Sequence, residues 1–210
     1  MEGSSFWSQS DYDEREEFAR SVKVSLLGVS PRGVASFQPG SETIAEDWAI
    51  WRRLPFAEGI GPVLEQTYRL ASALKLREVA ELDHFLGEKL GTELSRSLID
   101  AAKPFIEGKD QMRGNREWRK YCLKLENGEA PGHLPVMFAL HAVMFRLPLA
   151  CALQAYAWFE WKTGHLAIGK SSQAGHAEEP PVLFLDVKQE IAQIINPGPS
   201  DEDETGLRVV

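Results

Sequence analysis

The sequence predicts an all-α protein: a single globular helical domain of about eight helices around a buried central helical hairpin. Three observations predict it. No stretch of useful length alternates apolar and polar residues with period two, the mark of a half-buried strand. Apolar residues recur instead at three- and four-residue spacing in segment after segment, with short connections between them. And the run Gly132–Trp161, GHLPVMFALHAVMFRLPLACALQAYAWFEW, is apolar on nearly every face: between Leu134 and Trp161 only His141, Arg146, Gln154 and Glu160 are strongly polar. A helix that is apolar all round is a buried helix.

Residues 1–9 read as disordered, and the globular domain as 10–168. Ser10 followed by Asp13 and Glu14 starts a helix, with carboxylates on the positive end of its dipole. Phe18, Val22 and Leu26 form its stripe, and Gly28 ends it. Residues 29–41, VSPRGVASFQPGS, are loop by composition. Ser41 can cap a helix carrying Ile44, Trp48 and Trp51, and Pro55, Gly59, Gly61 and Pro62 punctuate a turn after it. A helix over 62–74 presents Val63, Thr67, Leu70, Ala71 and Leu74.

The next series starts near Arg77 and carries Val79, Leu82, Leu86, Leu90, Leu94 and Leu98, interrupted by Gly87 and Gly91. Each glycine costs about 1 kcal/mol against alanine in a helix interior. A break near Gly91, or a close helix crossing on that face, is therefore expected. Pro104 should kink or end the segment, and 107–116 reads as a surface loop. Trp118, Cys122 and Leu125 stripe a further helix that Gly128 can terminate.

The central hairpin then pairs helices at 134–145 and 148–163, joined tightly at Phe145-Arg146-Leu147. Its uninterrupted apolar run is about 12 residues, short of the ~18 to 20 that a bilayer requires. Pro148 suits the first turn of a new helix. Residues 169–181 read as a linker and 182–195 as a last helix carrying Leu183, Val187, Ile191, Ile194 and Ile195. Asn196-Pro197-Gly198-Pro199 stops it, and 196–210 is an acidic tail read as disordered.

The formal net charge of −8 supplies no cationic footprint, which argues against nucleic acid as a partner. Cys122 and Cys151 lie in apolar helical contexts and read as free thiols of an intracellular protein. The acidic, polar N-terminal stretch resembles neither a signal nor a transit peptide, so the expected compartment is the cytoplasm, with no membrane association.

No P-loop, G-x-S-x-G, H-E-x-x-H or C-x-x-C pattern is present. Gly169-Lys170-Ser171 resembles the end of a P-loop, but the glycine five residues ahead is Gly164, inside the end of a helix. His133 and His141 are eight apart on one helix, roughly 12 Å along its axis, too far to share an ion. His84 reads as a half-exposed helix histidine and His141 as a hydrogen-bonded core or interface histidine. His165 and His176 bracket the linker and leave a metal role open there. The acidic pairs are most simply solvated surface. No catalytic, cofactor or metal residue is assigned, and the protein reads as a non-enzyme. Six tryptophans point to a large core or to a partner surface. A small-ligand pocket lined by Trp48, Trp51, Trp158 and Trp161 is an alternative.

Four short segments, in order, resemble the UreF family of urease accessory proteins. The strongest is Gly132-His133-Leu134-Pro135-Val136-Met137-Phe138, followed by Leu147-Pro148-Leu149, Ala152-Leu153 and Ala155-Tyr156. The second is Pro31-Arg32-Gly33-Val34-Ala35-Ser36-Phe37-Gln38-Pro39-Gly40-Ser41-Glu42, in which Pro31, Gly33, Ser36, Phe37, Gly40 and Glu42 match. The third is Leu82-Asp83 with Thr92-Glu93-Leu94, where Ser95, Leu98 and Ala102 replace the usual arginine, serine and glycine. The fourth is His165-Leu166-Ala167-Ile168-Gly169, which keeps a leucine and Gly169 but lacks the usual arginine and proline.

The resemblance spans about 24–175 and is that of a divergent member. It implies a non-enzymatic scaffold, often dimeric, that joins a UreD/UreH-like second accessory protein and a nickel-carrying, UreG-like GTPase to apo-urease and modulates that GTPase. A paralogous helical scaffold without urease partners is the alternative within the fold. The motif residues Pro31, Gly33, Ser36, Phe37, Gly40, Glu42, His133, Pro135, Tyr156, His165 and Gly169 become candidate partner contacts. In the resemblance the C-terminal region holds the second accessory protein. Val187, Ile191 and Ile194 are then expected to be offered, wholly or in part, to a partner in trans.

Overall fold

The computed structural model describes residue 37 and residues 44–107, 116–169 and 187–197. Among these there are eight α-helices, one π-helical segment and no strand. The expected first helix with Phe18, Val22 and Leu26 lies outside the described residues. So do Pro31, Gly33, Ser36, Gly40 and Glu42, residues 170–186 of the expected linker and last helix, and the acidic tail from residue 198.

Helix α1 (Ile44–Trp51), a π segment (Arg52–Ile60) and α2 (Gly61–Ser72) form one unbroken helical run where the sequence predicts a turn. The backbone stays right-handed through the junctions, at φ −58°, ψ −41° for Trp51 and φ −61°, ψ −48° for Gly61. The Gly61 N–H donates five residues back, to the Phe56 carbonyl. This wider register gives the Pro55 ring room against the preceding turn, where an α-helix would clash. Pro62 sits in the first turn of α2, where its missing N–H is unneeded. The π register also turns Arg52, Phe56 and Ile60 inward together.

Helix α2 buries Gly61, Leu64, Thr67 and Ala71. Leu74 does not continue that stripe: it lies past the helix end and is 64% exposed. Its φ of 59° is left-handed, a conformation that costs a non-glycine residue roughly 1 kcal/mol. The Leu74 N–H donates to the Ala71 carbonyl (3.0 Å) and the Lys75 N–H to that of Leu70 (2.9 Å). This is a Schellman ending with leucine where glycine is usual.

Helices α3 (Leu76–Leu90) and α4 (Thr92–Glu107) separate at Gly91, as expected, with φ +71°. Pro104 does not end the second of them; the helix continues to Glu107. The buried Leu98, Ala101, Ala102 and Phe105 hold that end against the core. Helix α5 (Arg116–Glu126) buries Trp118, Tyr121 and Cys122 and closes at Gly128 with the same Schellman pattern.

The predicted hairpin is α6 (Leu134–Met144) and α7 (Leu149–Gly169). Every side chain from Leu134 to Leu140 is buried, and α2, α4 and α7 enclose the helix. Arg146, at φ 56°, makes the turn: its N–H donates to Val143 and that of Leu147 to Ala142. The Tyr68 hydroxyl donates to the Leu147 carbonyl at 2.6 Å and ties the turn to α2. Helix α7 runs past the expected end at 163 and takes up the His165–Gly169 segment, because Gly164 is filled by a packed neighbour rather than left as a break. Cys122 and Cys151 are free thiols, as read.

Helix α8 (Val187–Ile195) docks in cis, so its stripe is not offered wholly in trans. Val187, Ile191 and Ile194 are buried against the π segment, α7 and α2 of the same chain. The reason is a prepared seat. Gly61 carries no side chain where Ile194 lies, and a Cβ there would also stand 2.7 Å from the Phe56 carbonyl. Arg52, turned inward by the π register, meets Glu190 at 3.4 Å.

His141 is a core histidine held mainly by ring packing, with a weak backbone contact to Phe105. Its ring packs against Phe105, Trp118 and Phe145, at centroid distances of 4.8, 5.0 and 5.7 Å. Neither ring nitrogen meets a partner at full hydrogen-bond geometry among the described residues. Burial pushes the imidazole pKa down to about 4, opposed only in part by the Phe105 backbone. The folded state therefore disfavours the charged ring, while the unfolded chain protonates near 6.5. Between those values the unfolded state binds more protons, so stability falls as pH drops from about 6.5 to 4 and this contribution is flat outside that window. The expected loss is on the order of 3 kcal/mol. Urea titrations at pH 7 and pH 4 check it, since His141→Phe should flatten the His141 share of the slope. No helix among the described residues is long and apolar enough to cross a membrane.

Candidate functional site

Two buried carboxylates organise the motif segments. A buried carboxylate is tolerated only when it is hydrogen-bonded, and both accept bonds on each oxygen. Asp83, on α3, accepts four hydrogen bonds. To Oδ2 come the Tyr121 hydroxyl at 2.9 Å and the Gly132 N–H at 2.7 Å. To Oδ1 come the His133 N–H at 3.1 Å and its ring Nδ1 at 2.7 Å. Burial, with the adjacent Asp83 charge, pushes the Tyr121 hydroxyl far above its ordinary pKa and keeps it a donor. The far nitrogen of His133, Nε2, lies 2.8 Å from Ser95 Oγ on α4.

The Gly-His-Leu-Pro sequence explains this local shape. Gly132 takes φ +83°, and a Cβ there would press on Leu125 at 2.9 Å. His133, extended at ψ 146°, starts α6, and Pro135 occupies its first turn. Two successive backbone N–H groups are thereby aimed at one carboxylate. Gly87 completes the site: a Cβ on it would stand 3.0 Å from His133 Cε1, so the expected close approach falls at this glycine.

Glu160, on α7, is the second carboxylate. It accepts the Tyr156 hydroxyl at 2.6 Å and the Phe37 N–H at 3.0 Å. The Phe37 ring enters an aromatic cluster with Trp48 (5.0 Å), Trp51 (6.0 Å) and Trp161 (5.9 Å). Trp48 and Trp51 stack at 4.7 Å, and Trp51 stacks on Phe56 at 5.2 Å. Gly164 lets Phe37 in: a Cβ would meet the Phe37 carbonyl at 2.9 Å. The four tryptophans proposed to line a ligand pocket do not line one together. Trp48, Trp51 and Trp161 fill this cluster, and Trp158 is half-buried on the core.

Outside the cluster an open groove of about 900 Å³ runs between α1 and the α3–α4 junction, with Ile50, Trp51, Pro55, Leu90 and Leu94 in its walls. Asp47 and Glu93 stand on its rim. Ile50 and Leu54 beside it are 58% and 55% exposed, large apolar side chains turned to solvent. No group of three metal-ligating side chains gathers among the described residues.

The order of segments and the architecture now meet a direct comparison. A family model described as UreF matches residues 41–167. The chain belongs to the UreF family. No curated protein and no solved structure matches it. UreF membership carries a urease accessory role and an all-helical fold, in a family of accessory, chaperone-like proteins rather than enzymes.

Within this UreF-family chain the motif residues that are described face inward. Phe37, His133, Pro135 and Tyr156 are all buried, so each acts through the packing it fixes. Glu160 joins Phe37 of the second motif to Tyr156 of the strongest one, while His133 closes on Asp83. His165 and Gly169 lie on α7. Asp83, Ser95, Tyr121 and Glu160 were absent from the sequence-based site residues. Glu160 carried a signal, as the single carboxylate in an apolar run, four residues after Tyr156.

Proposed function

We propose that this UreF-family protein is a cytoplasmic, dimer-forming scaffold of urease maturation. It bridges a UreD/UreH-like second accessory protein and a UreG-like GTPase to apo-urease, with nickel as the cargo of that assembly. Its action is a coupling of binding free energies: holding partners in one register biases the GTPase cycle without a bond-making step by the scaffold. The observation that carries this reading is the UreF match over 41–167. The outward Ile50 and Leu54, beside a groove with apolar walls and carboxylates on its rim, support it as a docking face. A partner suited to that face presents apolar residues flanked by lysine or arginine. Contacts by Pro31, Gly33, Ser36, Gly40, Glu42, His165 and Gly169 belong to the same reading.

The test is complementation. A urease-positive host deleted for its own UreF-family gene should regain urease activity when given this chain, and the tagged chain should bring down the GTPase and the second accessory protein. Ile50→Asp with Leu54→Asp, both on exposed positions, should leave the fold intact and abolish that co-purification. Failure to restore urease activity with the partners of the chain's own genome would favour a paralogous scaffold.

A further inference from the structure

Asp83, His133 and Ser95 form a carboxylate–imidazole–hydroxyl relay. An ionised carboxylate only accepts hydrogen bonds, so the 2.7 Å contact from His133 Nδ1 to Asp83 Oδ1 places the ring proton on Nδ1. In the neutral ring Nε2 is then the lone-pair nitrogen, 2.8 Å from Ser95 Oγ, and the hydroxyl can donate to it. That is the tautomer and spacing by which a histidine serves as general base to a serine. The ring cannot swing away, because Asp83 is itself locked by the Tyr121 hydroxyl and the Gly132 N–H. Gly87 lets the α3 backbone pack close on the ring: a Cβ there would lie 3.3 Å from Nε2 and 3.7 Å from Ser95 Oγ.

We propose that Ser95 is an activated nucleophile that accepts the acyl group of small activated esters. This goes beyond the scaffold reading and does not rest on it. Asp83 and His133 are fully buried, whereas Ser95 is partly exposed, so Ser95 is the member of the relay that a small reagent can approach.

The step balances without an oxidant or a metal. The Ser95 Oγ–H proton passes to His133 Nε2 as Oγ bonds to the carbonyl carbon. The tetrahedral adduct collapses, the bond to the leaving alcohol breaks, and the alcohol departs with the proton from Nε2. Water then repeats the exchange on acyl-Ser95, releasing the carboxylic acid and restoring the hydroxyl.

The experiment treats the full chain with a small fluorophosphonate and, separately, with p-nitrophenyl acetate, and maps adducts by peptide mass spectrometry. The expected result is one adduct, on Ser95, absent in Ser95→Ala. In His133→Gln the labelling rate should fall by about 100-fold or more. Should that variant fail to fold, Gly87→Ala decides: its added methyl crowds Nε2, so labelling should slow while the near-ultraviolet dichroism of the folded protein is kept. An unlabelled Ser95 in the wild type, an adduct only at another residue, or folded Gly87→Ala labelled at the wild-type rate would overturn the proposal.

Discussion

Asp83→Ala is expected to unfold the domain or bring it close to unfolding. The carboxylate satisfies four donors from three residues, and all four lose their acceptor at once. A buried donor left unsatisfied costs about 1–3 kcal/mol, and breaking a buried charged contact about 3–5 kcal/mol. Even with non-additivity the loss is of the same order as the whole stability of a typical domain, about 5–15 kcal/mol. Asp83→Asn should recover only part of it, because its amide nitrogen would point a donor at donors. Glu81→Ala is the control: Glu81 is exposed and its pairing with Arg77 at 3.5 Å is worth little. Urea denaturation followed by far-ultraviolet dichroism reads all three. An Asp83→Ala midpoint close to that of the control would remove the carboxylate from its organising role.

Truncation after Glu178 is expected to destabilise the protein by several kcal/mol rather than leave an intact domain. It removes Val187, Ile191 and Ile194 from a seat they fill. Each fully buried side chain of this kind contributes about 1.5–3 kcal/mol, an upper range since unfolded chains already hide some surface. The truncation also uncovers Phe56, Ile60 and Leu64 and takes Glu190 from Arg52. A synthetic peptide of residues 182–197, added in trans, should recover part of the loss. If the shortened chain melts with the full-length protein, α8 is not part of the core and its apolar stripe is free for a partner.

Much of the fold was legible because its signals are local. The all-round apolarity of Leu134–Leu140 leaves no face for water, and that stretch is buried throughout. Gly91 and Gly128 ended helices where their positive φ was needed. What failed was what tertiary contact decides. Pro55 reads as a break, but a wider helical register accommodates it, and that register is held by Arg52, Phe56 and Ile60 packing inward. Gly61 reads as punctuation and Gly164 as a residue at the end of a helix, yet they are seats for Ile194 and Phe37, residues 133 and 127 positions away in the chain. The site was less legible than the fold. His133 and Tyr156 could be singled out, but the carboxylates that define their roles lie on other turns or other helices. No periodicity links Asp83 to His133 across fifty residues.

The aromatic cluster has an optical consequence. Trp48 and Trp51 are stacked within 13° of parallel, with Trp161 at 5.2 Å from Trp48, close enough for their electronic transitions to couple. The resulting near-ultraviolet signature belongs to the assembled trio and changes when any one ring departs. Because the trio joins α1 to α7 and seats Phe37, the native chain carries an intrinsic, label-free chromophore for the docking of its N-terminal motif.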